Sequence, residues 1–338
     1  MKNFNPACLP PFLALLLAAC AGAPKPLDIP LERGFPLDAG GRAYAYIDVE
    51  KARPILDKIS FPGLGQADAA MLFDWTSYAV AGFYPPESGK TVQFSAWGRY
   101  PSSRARFALG ASRDWKRLKS ENRQNFWYSA QSAASVALNT DRAFAAVSFP
   151  AAPDAKAPNP FASPPGTLLP EGFTEFRQGA ALAFWLEEPE SYLNNFLSAM
   201  NLPLQIPAES FIVSLHPLPA EAGKSMEAGK NTETGESAEA TDPNERLYEP
   251  RIRIKTPQAS QARGLVTLFS MARFFLAQAA ENPEVRNSGA AETVALLSLL
   301  FANPPSQEGA FLNLRAAPMG GKDIALLFSL FSVYSSQK

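Results

Sequence analysis

Ala43-Tyr44-Ala45-Tyr46-Ile47-Asp48-Val49 reads as a β-strand that leads directly into a helical stretch from Glu50 to Ile59. The same signal returns at Ala181-Leu182-Ala183-Phe184-Trp185-Leu186, which leads into a helix from about Pro189 to Met200, with the proline where a first helical turn tolerates it. Further along, Tyr100-Pro101 followed by Ser103-Arg104-Ala105-Arg106 is answered by Thr256-Pro257 followed by Ser260-Gln261-Ala262-Arg263. Each pair closes a strand-like run, Thr91 to Arg99 or Leu247 to Lys255, and opens a helix. In the first half the later strands are Asp114 to Ser120, Phe126 to Ser129, Ser135 to Asn139 and Ala143 to Phe149. The pattern predicts an α+β fold of two sheet-plus-helix halves, each an antiparallel or mixed sheet with helices on one face, as a diverged duplication would leave.

The spacing between anchors differs: 60 residues separate positions 45 and 105, and 79 separate 183 and 262. The extra 19 lie in Glu221 to Arg246, where Met226 is the only large apolar residue. Such a stretch buries too little apolar surface to offset its ordering entropy, so residues 221–246 are expected to form a disordered insertion between the strands Ser210 to Leu215 and Leu247 to Ile254. Seven prolines between Pro150 and Pro170 rule out a helix or a central strand there and mark the boundary between the halves. The resulting map is a leader at 1–19, a tether at 20–37, a first half at 38–149, a proline-rich linker at 150–171 and a second half at 172–338.

The leader has Lys2, an apolar run from Leu9 and the closing string Leu17-Ala18-Ala19-Cys20. Its core, Phe12 to Leu17, is too short to span a bilayer, which takes about 20 apolar residues. Over residues 1–20 the chain resembles bacterial lipoproteins in general, whose lipobox is cut immediately before a cysteine. The resemblance implies a mature chain starting at Cys20, with a diacylglyceryl thioether on its sulfur and an acyl chain such as palmitate on its amine. Each buried methylene contributes about 0.8 kcal/mol, so two or three chains hold the protein to a membrane without spanning it. Ala21 carries no acidic retention signal, which points to the outer rather than the inner membrane of a bacterial envelope.

Composition narrows the chemistry. Both cysteines, Cys8 and Cys20, fall in or at the end of the leader, leaving 319 mature residues without a second thiol for a disulfide or a metal. His216 is the only histidine, so a His-rich zinc site is excluded and a Ser-His-Asp triad would depend on it alone; it reads as a strand-end residue partly in solvent. With a net charge of −1, or −2 once Lys2 is removed, no global field points to nucleic acid. The chain has no complete phosphate loop, nucleophile elbow or His-Glu-x-x-His string. Asp48 with Glu50, and Glu187, Glu188 and Glu190, lie at strand-to-helix junctions where acids complement the helix dipole. No catalytic residue, metal or cofactor is expected.

Two stretches stand out. From Arg99 to Arg123 eight cations face only Asp114 and Glu121, a local excess of +6, interleaved with Tyr100, Phe107, Trp115, Phe126, Trp127 and Tyr128. Arg113, Lys116, Arg117 and Trp115 are candidates for holding anionic lipid headgroups or an acidic polysaccharide; the same run also fits a solvated face with its aromatics turned inward. In the C-terminal third, Leu265, Leu268, Phe269, Ala272, Phe275 and Leu276 form a helical stripe that Val266, Met271 and Phe274 widen, with apolar runs at Val294 to Phe301 and Ile324 to Phe331. These are core helices or, lined by Phe269, Phe275, Leu300 and Phe331, an apolar groove for an acyl chain or partner helix. The leading expectation is a non-catalytic envelope lipoprotein whose ectodomain binds a protein or envelope component. A carrier or chaperone for a hydrophobic ligand or lipid comes second, and a carboxylate-dependent hydrolase third.

Overall fold

The third strand of each half is followed by an X-Pro pair and a helix, and that junction organises the architecture. The computed structural model describes residues 37–59, 65–148, 157–161, 170–191, 193–194, 205–219, 246–283 and 291–327. The tether, most of the proline-rich stretch, much of the predicted helix after Pro189 and the insertion at 221–245 lie outside these residues. The chain divides into two compact units, Met1–Arg53 with Ile59–Thr174, and Pro54–Lys58 with Glu175–Lys338. The α+β fold is seen in both.

In the first unit the strands are β1 (Ala43–Asp48), β2 (Thr76–Phe83), β3 (Val92–Gly98), β4 (Lys116–Lys119), β5 (Asn125–Ser129), β6 (Ala134–Leu138) and β7 (Arg142–Val147). They run β1-β2-β3-β7-β6-β5-β4, every pair antiparallel. The helix α1 (Val49–Leu56) follows β1, and Asp48 starts it by accepting a hydrogen bond from the Lys51 backbone N–H at 3.2 Å. The helices α2 (Gln66–Trp75) and α3 (Ser102–Ala111) supply Trp75, Ala105 and Leu109 to a core with Ala79, Ala96, Trp115, Trp127, Val136 and Leu138. Period-two alternation puts those strand residues on one sheet face and Tyr44, Tyr46, Gln93, Phe144 and Ser135 on the other. That second face is covered too. Phe161 packs on Phe144 and Phe126, with ring centroids 5.2 and 6.5 Å away. Helices on one face were therefore only part of the answer: proline bars residues 157–161 from pairing in the ladder but leaves them free to lie across it.

In the second unit β8 (Leu182–Glu187), β9 (Ser210–Pro217), β10 (Tyr248–Lys255), β11 (Ser306–Glu308) and β12 (Phe311–Arg315) run β8-β9-β10-β12-β11, again antiparallel. This repeats the order β1-β2-β3-β7-β6 of the first unit. The junctions match in detail. The backbone N–H of Tyr100 donates to the Thr140 carbonyl, just ahead of β7, and that of Thr256 donates to the Ala310 carbonyl, just ahead of β12, each at 2.9 Å. The short helix α4 (Phe173–Arg177) precedes β8. The helices α5 (Ala259–Glu281) and α6 (Ala291–Leu300) come after β10, between them the counterpart of α3. Leu265 and Phe269 of α5 join Ile254, Leu312 and Leu314 in the core, and Phe269 stacks on Phe301 at 5.2 Å. On the other sheet face Phe176 of α4 lies 4.8 Å from the Arg253 guanidinium, with Phe311 at 5.1 Å.

Candidate functional site

Two exposed surfaces, one in each unit, and a shallow cleft are where this fold can meet another molecule. The first surface grows out of the edge of the seven-stranded sheet. Because α3 buries Ala105 and Leu109, its Phe107 points outward and is 80% exposed. The chain then passes Arg113 and enters the edge strand β4, whose Lys116, Arg117 and Lys119 are exposed, and turns through Arg123 into β5. None of these five cations forms an ion pair with a described residue. Arg123 closes the turn with φ of 59°, a left-handed conformation that favours glycine or asparagine, and its N–H donates to the Ser120 carbonyl at 2.9 Å. Trp115 is only 6% exposed and packs beside Trp75 and Trp127, so its ring belongs to the core and not to the surface. Phe126 and Trp127 are likewise buried.

The second surface lies on α5. Its buried positions end at Phe269, while the helix continues to Glu281. Met271, Phe274 and Phe275, at the i, i+3, i+4 spacing of one helix face, are 55%, 60% and 58% exposed. Phe269 and Phe275 thus serve different surroundings, the first at 3% exposure in the core and the second in solvent. Leu300 is half-buried on α6, and Phe331 lies outside the described residues, as does Cys20.

The cleft, about 270 Å³ in volume, is lined by residues including Asp48, Glu50, Arg53, Asp74, Tyr78 and Arg99. Of its charges, Arg53 donates to Asp74 at 2.7 Å, and Asp48 pairs at 2.9 Å with Lys51, which is outside the lining. The sole histidine, half-buried at the end of β9, sits with its Nε2 3.0 Å from the Ser214 hydroxyl. Among the described residues no group of three or more His, Cys, Asp or Glu side chains could hold a metal ion.

One cluster escaped the sequence reading. Where the chain enters β1, Asp38 pairs with Lys90, and the Tyr84 hydroxyl donates to the Asp38 carbonyl at 2.8 Å and to Gln93 Oε1 at 3.0 Å. Lys90 also lies 4.9 Å from the Tyr84 ring centre. Burial pushes the Lys90 ammonium down to about 8, against the pull of the Asp38 carboxylate, and pushes the Tyr84 phenol well above its ordinary value. The partners are 52 residues apart and carry no local signature.

No helix among the described residues is long and apolar enough to cross a membrane. No family model matches the chain, and no curated protein does. Solved structures do: crystal form III of TP0453 is similar with a TM-score of 0.51 at 14% identity, over 87% of this chain and 96% of that one. Crystal form I gives 0.50 at 14% over 90% and 99%, and form IV 0.50 at 13% over 88% and 97%. At that level of identity the likeness is one of fold.

Proposed function

We propose that this protein is a lipid-anchored lipoprotein of the bacterial cell envelope whose ectodomain binds another envelope component without catalysing a reaction on it. The observation that carries the reading is the stripe Met271, Phe274 and Phe275: three large apolar side chains more than half exposed on one face of a helix whose buried residues, Ala262, Leu265 and Phe269, all lie before it. A solvent-facing stripe of this kind is costly to keep unless something covers it. The lipobox at Leu17 to Cys20 supports the anchor. A hydrophobic-ligand carrier is less well supported, because Phe269 is packed solidly against Leu265, Leu312 and Leu314.

The test has two arms. Mass analysis of the native product should find diacylglycerol on Cys20, and an unmodified amino terminus upstream of it would remove the anchor. The tagged native protein and its M271S/F274S/F275S variant should then be captured from the envelope of the same organism, with bound proteins and lipids analysed by mass spectrometry. Loss of one specific component from the variant is the expected result; identical captures would overturn the binding role of α5.

A further inference from the structure

We propose that the β4–β5 edge of the first unit, with the exposed Phe107 of the helix that precedes it in the chain, is a docking site for a membrane surface rich in anionic lipid headgroups. This deepens the envelope reading, on which it rests for the reason the domain is near a bilayer at all. The residues are Arg113, Lys116, Arg117, Lys119, Arg123 and Phe107. Three observations carry it together. Five exposed cations gather on one edge hairpin and its approach, and none is neutralised by a described residue. Asp114 and Glu121 are the only acids in this stretch. Phe107, the most exposed large apolar side chain among the described residues, stands on the outer face of the helix that runs into the hairpin. An exposed apolar ring in the same stretch of chain as exposed cations is the chemistry of an interfacial anchor: the ring enters the headgroup layer while the cations pair with phosphates.

The third observation separates binding from the protective role that cations have on a sheet edge. Lysines and arginines on β4 would by themselves discourage edge-to-edge pairing of copies. Arg123 is not on the strand but in the turn, at a φ of 59°, where a glycine would be free of strain. The sequence keeps a cation at a position where it costs stability, on the same hairpin. The 17 residues from 20 to 36 separate Cys20 from the described chain by a contour of at most about 60 Å.

The experiment uses the mature chain from residue 20 with Cys20→Ser, so that docking is measured without the acyl anchor, and a failure here leaves the anchor reading to stand or fall on the mass of the native product. Cosedimentation with vesicles of phosphatidylcholine containing about 30% phosphatidylglycerol should show binding that falls steeply as salt is raised, and little binding to phosphatidylcholine alone. Each cation near an anionic surface is worth about 1 kcal/mol, so R113Q/K116Q/R117Q should weaken binding on the order of 100-fold. F107S should weaken it about fivefold. Arg123→Gly is the discriminating variant: it should melt higher than the parent yet bind about fivefold more weakly, a combination that damage to the fold cannot produce. Equal binding to both vesicle types, an unchanged triple variant, or affinity for a soluble acidic polysaccharide with none for the vesicles would each overturn the proposal.

Discussion

The two units share one plan and spend it differently. In both, three antiparallel strands lead to an X-Pro pair and a helix, and a returning hairpin sets its second strand against the third. In the first unit the helix is ten residues long, and an added pair of strands, β4 and β5, extends the sheet to a charged edge. In the second unit no such pair is seen among the described residues; the helix is 23 residues long and continues past its last core residue into an apolar stripe. The units therefore part company after the third strand. One elaboration ends in cations and the other in hydrocarbon, so the same scaffold presents two surfaces with opposite chemistry.

The sharpest way to break the comparison is at the end of the third strand, where the units solve the same join by different means. A Cβ on Gly98 would sit 1.8 Å from the Trp75 carbonyl oxygen, because β3 closes directly against the junction of α2 and β2, and Arg99 donates to that same carbonyl at 2.8 Å. The position two residues before Thr256 is instead Ile254, 2% exposed in the core. Gly98→Ala should destabilise the first unit by about 4 kcal/mol, an overpacking cost against backbone that cannot yield. Ile254→Ala should cost the second unit about 3 kcal/mol through a cavity. Chemical denaturation of both variants checks this, and a Gly98→Ala protein as stable as its parent would mean that the join is loose.

These differences also show what a sequence can disclose. The strands that were located were placed to within about two residues, since alternation and the X-Pro stops act locally: Thr91 to Arg99 became Val92–Gly98, and Ser135 to Asn139 became Ala134–Leu138; Thr76–Phe83, Ser306–Glu308 and Phe311–Arg315 were not located. The helix Gln66–Trp75 was missed. Only Ala69 and Trp75 of it are buried, and no side chain caps its start at Gly65, so neither periodicity nor a start signal announced it. Of the candidate residues, Arg113, Lys116 and Arg117 lie together on the surface, where their charges suggested, while Trp115 is inside, because its neighbours in sequence say nothing about Trp75 and Trp127 across the core. The far face of the first sheet was illegible for the same reason: Phe161 meets Phe144 and Phe126 through the fold alone.

A second, smaller effect sharpens the comparison through pH. Lys90 ties the entry of the first unit to its β2–β3 hairpin. Its folded value of about 8 lies below that of the unfolded chain, so between pH 8 and about 10.5 the unfolded state binds more protons and stability rises with pH. The gain should be on the order of 2 kcal/mol, fully present only above the unfolded value and absent below pH 8. Lys90→Met should flatten this slope in denaturation curves collected across about pH 7 to 10. A slope that survives the substitution would assign it to another group.

The smallest expected effect is the most telling about the second unit. If the stripe on α5 were part of its core, truncating it would cost what truncating Phe269 should, about 3 to 4 kcal/mol. At 55 to 60% exposure, Met271, Phe274 and Phe275 have already forgone most of the burial that a core residue receives. Serine at each should therefore shift stability by no more than about 0.5 kcal/mol, within the range of ordinary surface changes. Thermal melts of the three single variants beside Phe269→Ala measure the gap directly. A drop of about 2 kcal/mol or more at Phe274 or Phe275 would place that side chain in the packing of the second unit, and the contrast between a charged edge and an apolar helix would lose its second term.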